Sequence, residues 1–149
     1  TGLFHDDGGF PTNDNSIAKH EGIRLMEKIE HYKYNGILEY EESQMDDAEI
    51  GIVCYGGTVR AVQGAIDMAR KEGIKVGMFR PVTIWPFPED ELAERSKKLK
   101  RIIVAEHNYG QILLTVKRVA KDCPIDFIGK VDGTTISPIE ILNVIKEAK

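Results

Sequence analysis

Apolar and polar positions along this chain fall into segments that change period. Residues 13–34 carry Ile17, Leu25, Met26, Ile29 and Tyr32 at helical spacing, with Asn13 or Asp14 placed to cap the start. Gly36 ends that helix, and residues 37–41 (Ile-Leu-Glu-Tyr-Glu) read as a short strand before a polar connection over residues 42–47. A regular rhythm follows. Residues 50–55 form a nearly continuous apolar run, the mark of a strand buried on both faces of a parallel sheet. Gly56-Gly57-Thr58 turns the chain into a helix with Val59, Val62, Ala65, Ile66 and Ala69 on one face, closed by Gly73. Residues 76–79 are the next strand. A helix is then expected from residues 85–91, with acids at its start and Lys97, Lys98 and Lys100 at its end. Residues 102–105 and 125–128 are further strands, separated by a helix that carries Ile112, Leu113, Val116, Val119 and Ala120. Ser137-Pro138-Ile139-Glu140 opens the last helix with a capping box and a proline in the first turn. Strands alternating with helices in this way predict a three-layer α/β/α fold around a mostly parallel sheet.

Composition narrows the class. The 149 residues suffice for one compact domain, and 42% hydrophobic with 30% charged residues is an ordinary globular balance. The formal net charge of -4, with both signs interleaved, offers no basic footprint for nucleic acid. No apolar run approaches the ~20 residues that span a bilayer, so no membrane partner is expected, and a cytoplasmic location is. Two cysteines, Cys54 and Cys123, lie far apart without CxxC spacing and are expected as reduced thiols. An iron–sulfur cluster needs more thiolates than these two supply. The opening segment from Thr1 to Pro11 reads as a loop without an initiator Met, as in the middle of a longer polypeptide.

In open parallel sheets, chemistry gathers in the loops at the carboxyl ends of the strands. Three such loops stand out. Gly56-Gly57-Thr58 offers amides at a helix start, which suit an anion. It lacks both the GxGxxG spacing and a P-loop lysine, so a tight turn with Thr58 as cap is the competing reading. Residues 80–88 hold three prolines and the single Trp. Trp85 and Phe87 form either a stiff docking ridge or a pair of rings folded over the sheet edge. Arg80 suits a carboxylate, with Glu106 the candidate if the two strands adjoin. Residues 106–111 gather Glu106, His107, Asn108 and Gln111. Adjacent positions seldom aim at one metal, so the group is expected to fix its loop or to meet another subunit. No Ser-His-Asp or Cys-His arrangement is present, and no complete catalytic or cofactor-binding set is expected in this chain.

The same loops resemble a known family. Gly2-Leu3-Phe4-His5-Asp6-Asp7-Gly8-Gly9-Phe10-Pro11 is similar to the G-L-x-H-D-x-x-G-x-P segment that follows the pyrimidine-binding domain in alpha subunits of 2-oxoacid:ferredoxin oxidoreductases. Tyr55-Gly56-Gly57-Thr58-Val59-Arg60 resembles the family's strand-end turn, with Gly57 where Ser is usual. Residues 80–88 match R-x-x-T-[LI]-[WF]-P-F-P, residues 104–111 match V-x-E-x-N-x-G-Q, and residues 133–141 resemble G-x-x-x-[ST]-P-x-E-I. The pattern is most similar to the 2-oxoglutarate (KorA-type) branch, with branched-chain 2-oxoacid enzymes next.

The resemblance implies a transketolase C-terminal-like domain over residues 36–149, its five-stranded sheet beginning with an antiparallel strand at residues 37–41. Residues 1–35 would be the linker and leading helix from an upstream pyrimidine-binding domain. It also implies a setting. The family oxidatively decarboxylates a 2-oxoacid on thiamine diphosphate with Mg²⁺, passes the acyl group to coenzyme A, and sends electrons through iron–sulfur clusters to ferredoxin. The implied partners are that upstream domain, the beta subunit, and gamma or delta subunits. This chain lacks the Gly-Asp-Gly diphosphate motif, so it is expected to bind none of these cofactors alone. Its role would be assembly near the cofactor cleft, through an edge formed by Thr58, Arg80, Thr83, Trp85, Glu106, Asn108 and Gln111. Two alternatives share its features: the C-terminal domain of another thiamine enzyme (a transketolase or a 2-oxoacid dehydrogenase beta chain), and a phosphate- or nucleotide-binding module built on Gly56-Gly57-Thr58.

Overall fold

The structure is a computed structural model that describes residues 4–148, so Gly2 and Leu3 of the opening motif lie outside the described residues. The chain divides into two compact units, Thr1–Leu38 and Glu39–Lys149.

The first unit holds a small antiparallel pair, β1 (Phe4–His5) with β2 (Pro11–Thr12), and the helix α1 (Asn15–Tyr32). Asp14 caps α1 as expected: one carboxylate oxygen accepts from the Ser16 amide at 2.7 Å and from the Ile17 amide at 3.4 Å. The helix is shorter than the apolar spacing predicts. Asp14 is in extended backbone as a cap must be, so regular structure begins only at Asn15. At the far end the chain widens into a π-type turn over Lys33–Ile37, where Gly36 takes φ 116°, a conformation open to glycine. No residue of α1 is buried.

The second unit carries the five-stranded sheet, in the order β3-β5-β4-β6-β7. Strand β3 (Tyr40–Ser43) runs antiparallel to β5 (Val76–Pro81), while β4 (Ile50–Cys54), β6 (Arg101–Glu106) and β7 (Ile125–Gly129) run parallel with β5. The expected mixed sheet is therefore present, but its first strand lies later than residues 37–41. The turn through Gly36 occupies the start of that segment, and β3 instead uses Glu42 and Ser43 from the expected connection. Acidic residues suit an edge strand, where charge discourages further pairing. Here they also meet cations. Glu41 faces Arg80 across the ladder, and both oxygens of Glu42 accept from Arg95, at 2.7 and 2.5 Å.

Alternation in the strands divides the core between the two faces. Ile52, Cys54, Val76, Met78 and Ile103 pack with α2 (Val59–Lys71) and α5 (Pro138–Glu147). Val53, Phe79, Ile102 and Val104 pack with α3 (Glu89–Ser96) and α4 (Gln111–Val119). Helix α3 starts at Glu89, not in the segment from Trp85, because Pro86 and Pro88 have no amide to donate and Pro88 is held outside helical backbone. The capping box on α5 forms as predicted: Ser137 Oγ accepts from the Glu140 amide, and Glu140 accepts from the Ser137 amide at 2.8 Å. Lys130 lies against Glu140 and, with that amide, holds the carboxyl down at about 2. Among the described residues no helix is long and apolar enough to cross a membrane.

Candidate functional site

The loops after β4, β5 and β6 open from the carboxyl ends of three strands that adjoin in the sheet. Their centre is a buried carboxylate. Glu106 ends β6 and is 1% exposed. Its oxygens accept from the amides of Ile112 at 3.1 Å and Leu113 at 3.0 Å, in the first turn of α4. Asn108 Nδ2 donates to Glu106 at 2.9 Å and the Tyr55 hydroxyl donates at 3.3 Å. The amide oxygen of Asn108 accepts from Gly110 at 2.7 Å and Gln111 at 3.0 Å, so four free amides at the helix start are satisfied by two side chains. Gly110, at φ 97°, makes the reversal that places them there. The helix dipole favours the negative charge of Glu106 at this end.

Of the four residues grouped at 106–111, Glu106 and Asn108 hold the loop through their side chains, Gln111 enters only by its amide, and the His107 ring instead lies 3.4 Å from the Ile136 amide. Oε2 of Glu106 accepts from Tyr55, Asn108 and Ile112 and Oε1 from Leu113, so the acid is turned toward donors of its own domain. Tyr55 was not singled out from the sequence. Its signal is registration: Cys54 pairs with Ala105, so Tyr55 stands opposite Glu106 on the adjoining strand. Burial and the neighbouring Glu106 charge push the Tyr55 hydroxyl above its usual range.

The other expected site residues are placed differently. Arg80 does not reach Glu106, because β4 separates β5 from β6 in the sheet. It pairs instead with Glu41 of β3 at 2.8 Å, and its Nε is buried without a hydrogen-bond partner. Thr58 is buried, yet its side chain does not cap α2. Its backbone is already helical, and its hydroxyl donates back to the Tyr55 carbonyl at 2.6 Å. Thr83 Oγ1 accepts from the Glu39 amide at 3.1 Å and so ties the loop to the segment leading into β3. Gln111 is exposed at the start of α4. The two rings of the proline-rich loop separate: Phe87 is buried at 4% exposure, and Trp85 is 71% exposed. Tyr109, at the tip of the loop held by Glu106, is 87% exposed. The edge thus presents two large aromatic rings from loops whose roots are fixed.

Among the described residues no group of three or more His, Cys, Asp or Glu side chains converges to hold a metal ion. Cys54 and Cys123 are buried on opposite faces of the sheet, and burial pushes the Cys54 thiol up to about 12. That is the wrong direction for a thiolate ligand, so these residues do not fit an iron–sulfur cluster.

Residues 48–141 match the family described as pyruvate:ferredoxin oxidoreductase core domain II. The chain belongs to that family. Within it, the chain is 37% identical to the 2-oxoglutarate synthase subunit KorA of Methanothermobacter marburgensis, a match over 100% of this chain and 40% of that subunit. It is 38% identical to the KorA subunit of Methanocaldococcus jannaschii, over 95% of this chain and 38% of that subunit. The ketoisovalerate oxidoreductase subunit VorB of Methanothermobacter thermautotrophicus is 36% identical over 83% of this chain and 35% of its own length. The chain therefore spans about two fifths of the curated relatives it matches. In fold it is similar to a 2-oxoglutarate:ferredoxin oxidoreductase from Magnetococcus marinus, with a TM-score of 0.79 over 99% of this chain and 26% of that one. A split-gene transketolase shares the fold at a TM-score of 0.64 over 74% of this chain and 41% of that one. The KorA-type resemblance and the transketolase C-terminal-like fold read from the sequence are both borne out.

Proposed function

We propose that this chain is the C-terminal domain of the alpha subunit of a thiamine-diphosphate-dependent 2-oxoacid:ferredoxin oxidoreductase, acting on 2-oxoglutarate or a related 2-oxoacid. Residues 1–35 lead in from a pyrimidine-binding domain of the same subunit. The domain serves assembly: its strand-end edge meets that domain and the beta, gamma or delta subunits near the cofactor cleft. In the whole enzyme, thiamine diphosphate with Mg²⁺ supplies the stabilised carbanion, coenzyme A takes the acyl group, and iron–sulfur clusters carry electrons to ferredoxin. This chain's residues shape and hold the surface beside that chemistry.

The observation that carries the reading is the division of labour at the edge. Its one buried acid, Glu106, is occupied in holding the loop, while Trp85 and Tyr109 stand outward on fixed roots. Rigid aromatic side chains on an otherwise ordered surface are the residues that dominate protein interfaces. The relatives' identity favours the oxidoreductase over a transketolase, whose likeness lies in the fold.

Titration calorimetry of this chain with thiamine diphosphate and Mg²⁺ tests the assignment of the cofactor site to other parts of the enzyme. No heat of binding is expected, and micromolar affinity would overturn the assembly role. Copurification of the whole alpha subunit with its beta subunit, and 2-oxoacid-dependent ferredoxin reduction by that complex, test the identity of the enzyme.

A further inference from the structure

Helix α1 presents an apolar face that its own unit covers only in part. Ala18, Gly22, Leu25, Ile29 and Tyr32 recur at spacings of four and three, which places them on one stripe of the helix. Met26 borders it. Leu25 is 49% exposed, Met26 59% and Tyr32 45%, and a Cβ added to Gly22 would meet nothing within 4 Å. The β1–β2 turn lies against a different side, where Asp6, Gly8, Ser16, Ile17 and His20 share a surface pocket. Helices in proteins draw most of their stability from packing an apolar face. In this one Ala18, Gly22 and Ile29 are half-buried, while Leu25, Met26 and Tyr32 stay open.

We propose that the stripe of α1 is covered, in the complete subunit, by an apolar element of the same polypeptide lying outside this chain. The inference rests on the reading of the chain as part of a longer subunit. Two observations select that occupant. The KorA relative of Methanothermobacter marburgensis matches all of this chain and has most of its own length beyond the match, so polypeptide is at hand to do the covering. The charges of α1 also balance, with Lys19, Arg24 and Lys28 against Glu21, Glu27 and Glu30. A helix that lies on anionic lipid or along nucleic acid carries an excess of cations instead. Ala18 and Gly22 fit the same picture, because small residues let a second backbone come close, and the partner element meets a surface whose rim is neutral overall.

Amide hydrogen exchange decides it, measured over residues 17–32 in this chain and in the full product of its gene. Exchange in the full product is expected to be at least 100-fold slower. The double substitution Leu25→Asp, Ile29→Asp in that product should abolish the protection in α1 while leaving exchange in α2 and α5 unchanged, which separates lost covering from a failure to fold. Equal exchange in the two proteins overturns the proposal. So does protection in this chain alone that rises with its concentration, the signature of a second copy as occupant, and so does a gene that encodes nothing beyond this chain. The enzyme reading fails separately. A full subunit that protects α1 but supports no 2-oxoacid-dependent ferredoxin reduction would retain the covering and lose the proposed function.

Discussion

The loops after β5 and β6 end the two strands that flank β4, and each displays a large exposed ring, yet they are held by opposite means. Residues 106–111 are held by polar wiring. Glu106 and Asn108 satisfy four backbone amides, and a Tyr55 hydroxyl from the next strand joins the network. Residues 82–88 are held by sterics and burial: Pro86 and Pro88 restrict the backbone, Phe87 enters the core, and Thr83 supplies a hydrogen bond at the loop's root. The difference teaches where each loop is vulnerable. A buried charge is stable only while every donor around it stays in place, so the first loop fails as a unit. An apolar plug loses stability in proportion to the volume removed, so the second fails by degrees.

The largest expected effect falls on the wired loop. Glu106→Ala leaves two amides of α4 and the Tyr55 hydroxyl without an acceptor, and should cost about 3–5 kcal/mol in urea unfolding, by the penalty for buried donors left unsatisfied. Phe87→Ala should cost about 3–4 kcal/mol by cavity formation, with amide exchange in residues 106–111 unchanged. If Phe87→Ala loosens that loop as much as its own, the two supports are not independent. Asn108→Ala should cost about 1–2 kcal/mol and raise exchange at Gly110, Gln111, Ile112 and Leu113 together, since it removes the acceptor of the first two and a donor to Glu106.

Alkaline pH separates the loops further. The folded state raises the Tyr55 pKa, so the hydroxyl's contribution is fully present below the ordinary phenol range and is lost as pH rises through the folded value. The wired loop should loosen above about pH 10, the ordinary phenol value, with Tyr55→Phe removing that dependence and the proline-rich loop indifferent to it. The smallest effect on stability belongs to the exposed rings. Trp85→Ala and Tyr109→Ala should each shift the unfolding free energy by less than about 0.5 kcal/mol, since little is buried. In the full subunit each should still weaken assembly with its partners at least tenfold, by the loss of an aromatic anchor. Sedimentation of the whole complex measures that outcome.

Part of this edge was legible in the chain: the strand-end position of Glu106 and its grouping with Asn108 in a loop held by hydrogen bonds. The reversal at Gly110 and the Tyr55 contact were not, because they depend on backbone conformation and on the neighbouring strand. The aromatic pair was legible only as a pair. Burial of Phe87 with exposure of Trp85 depends on which ring finds space among Val53, Phe79 and Leu92, and that space belongs to the packed core. Arg80 shows the same limit: its chemistry called for a carboxylate, but strand order supplied Glu41 in place of Glu106.

The sequence by itself determined the α/β/α layering, the continuous apolar strands, the cap at Asp14, the capping box at Ser137 and the family. These depend on local spacing and on backbone groups within a few residues of one another. Tertiary structure alone decided the neighbours across the sheet: β4 standing between β5 and β6, Tyr55 opposite Glu106, and β3 beginning only after the turn through Gly36. Those outcomes depend on which strands share a ladder and in what register, and residues distant along the chain set that together.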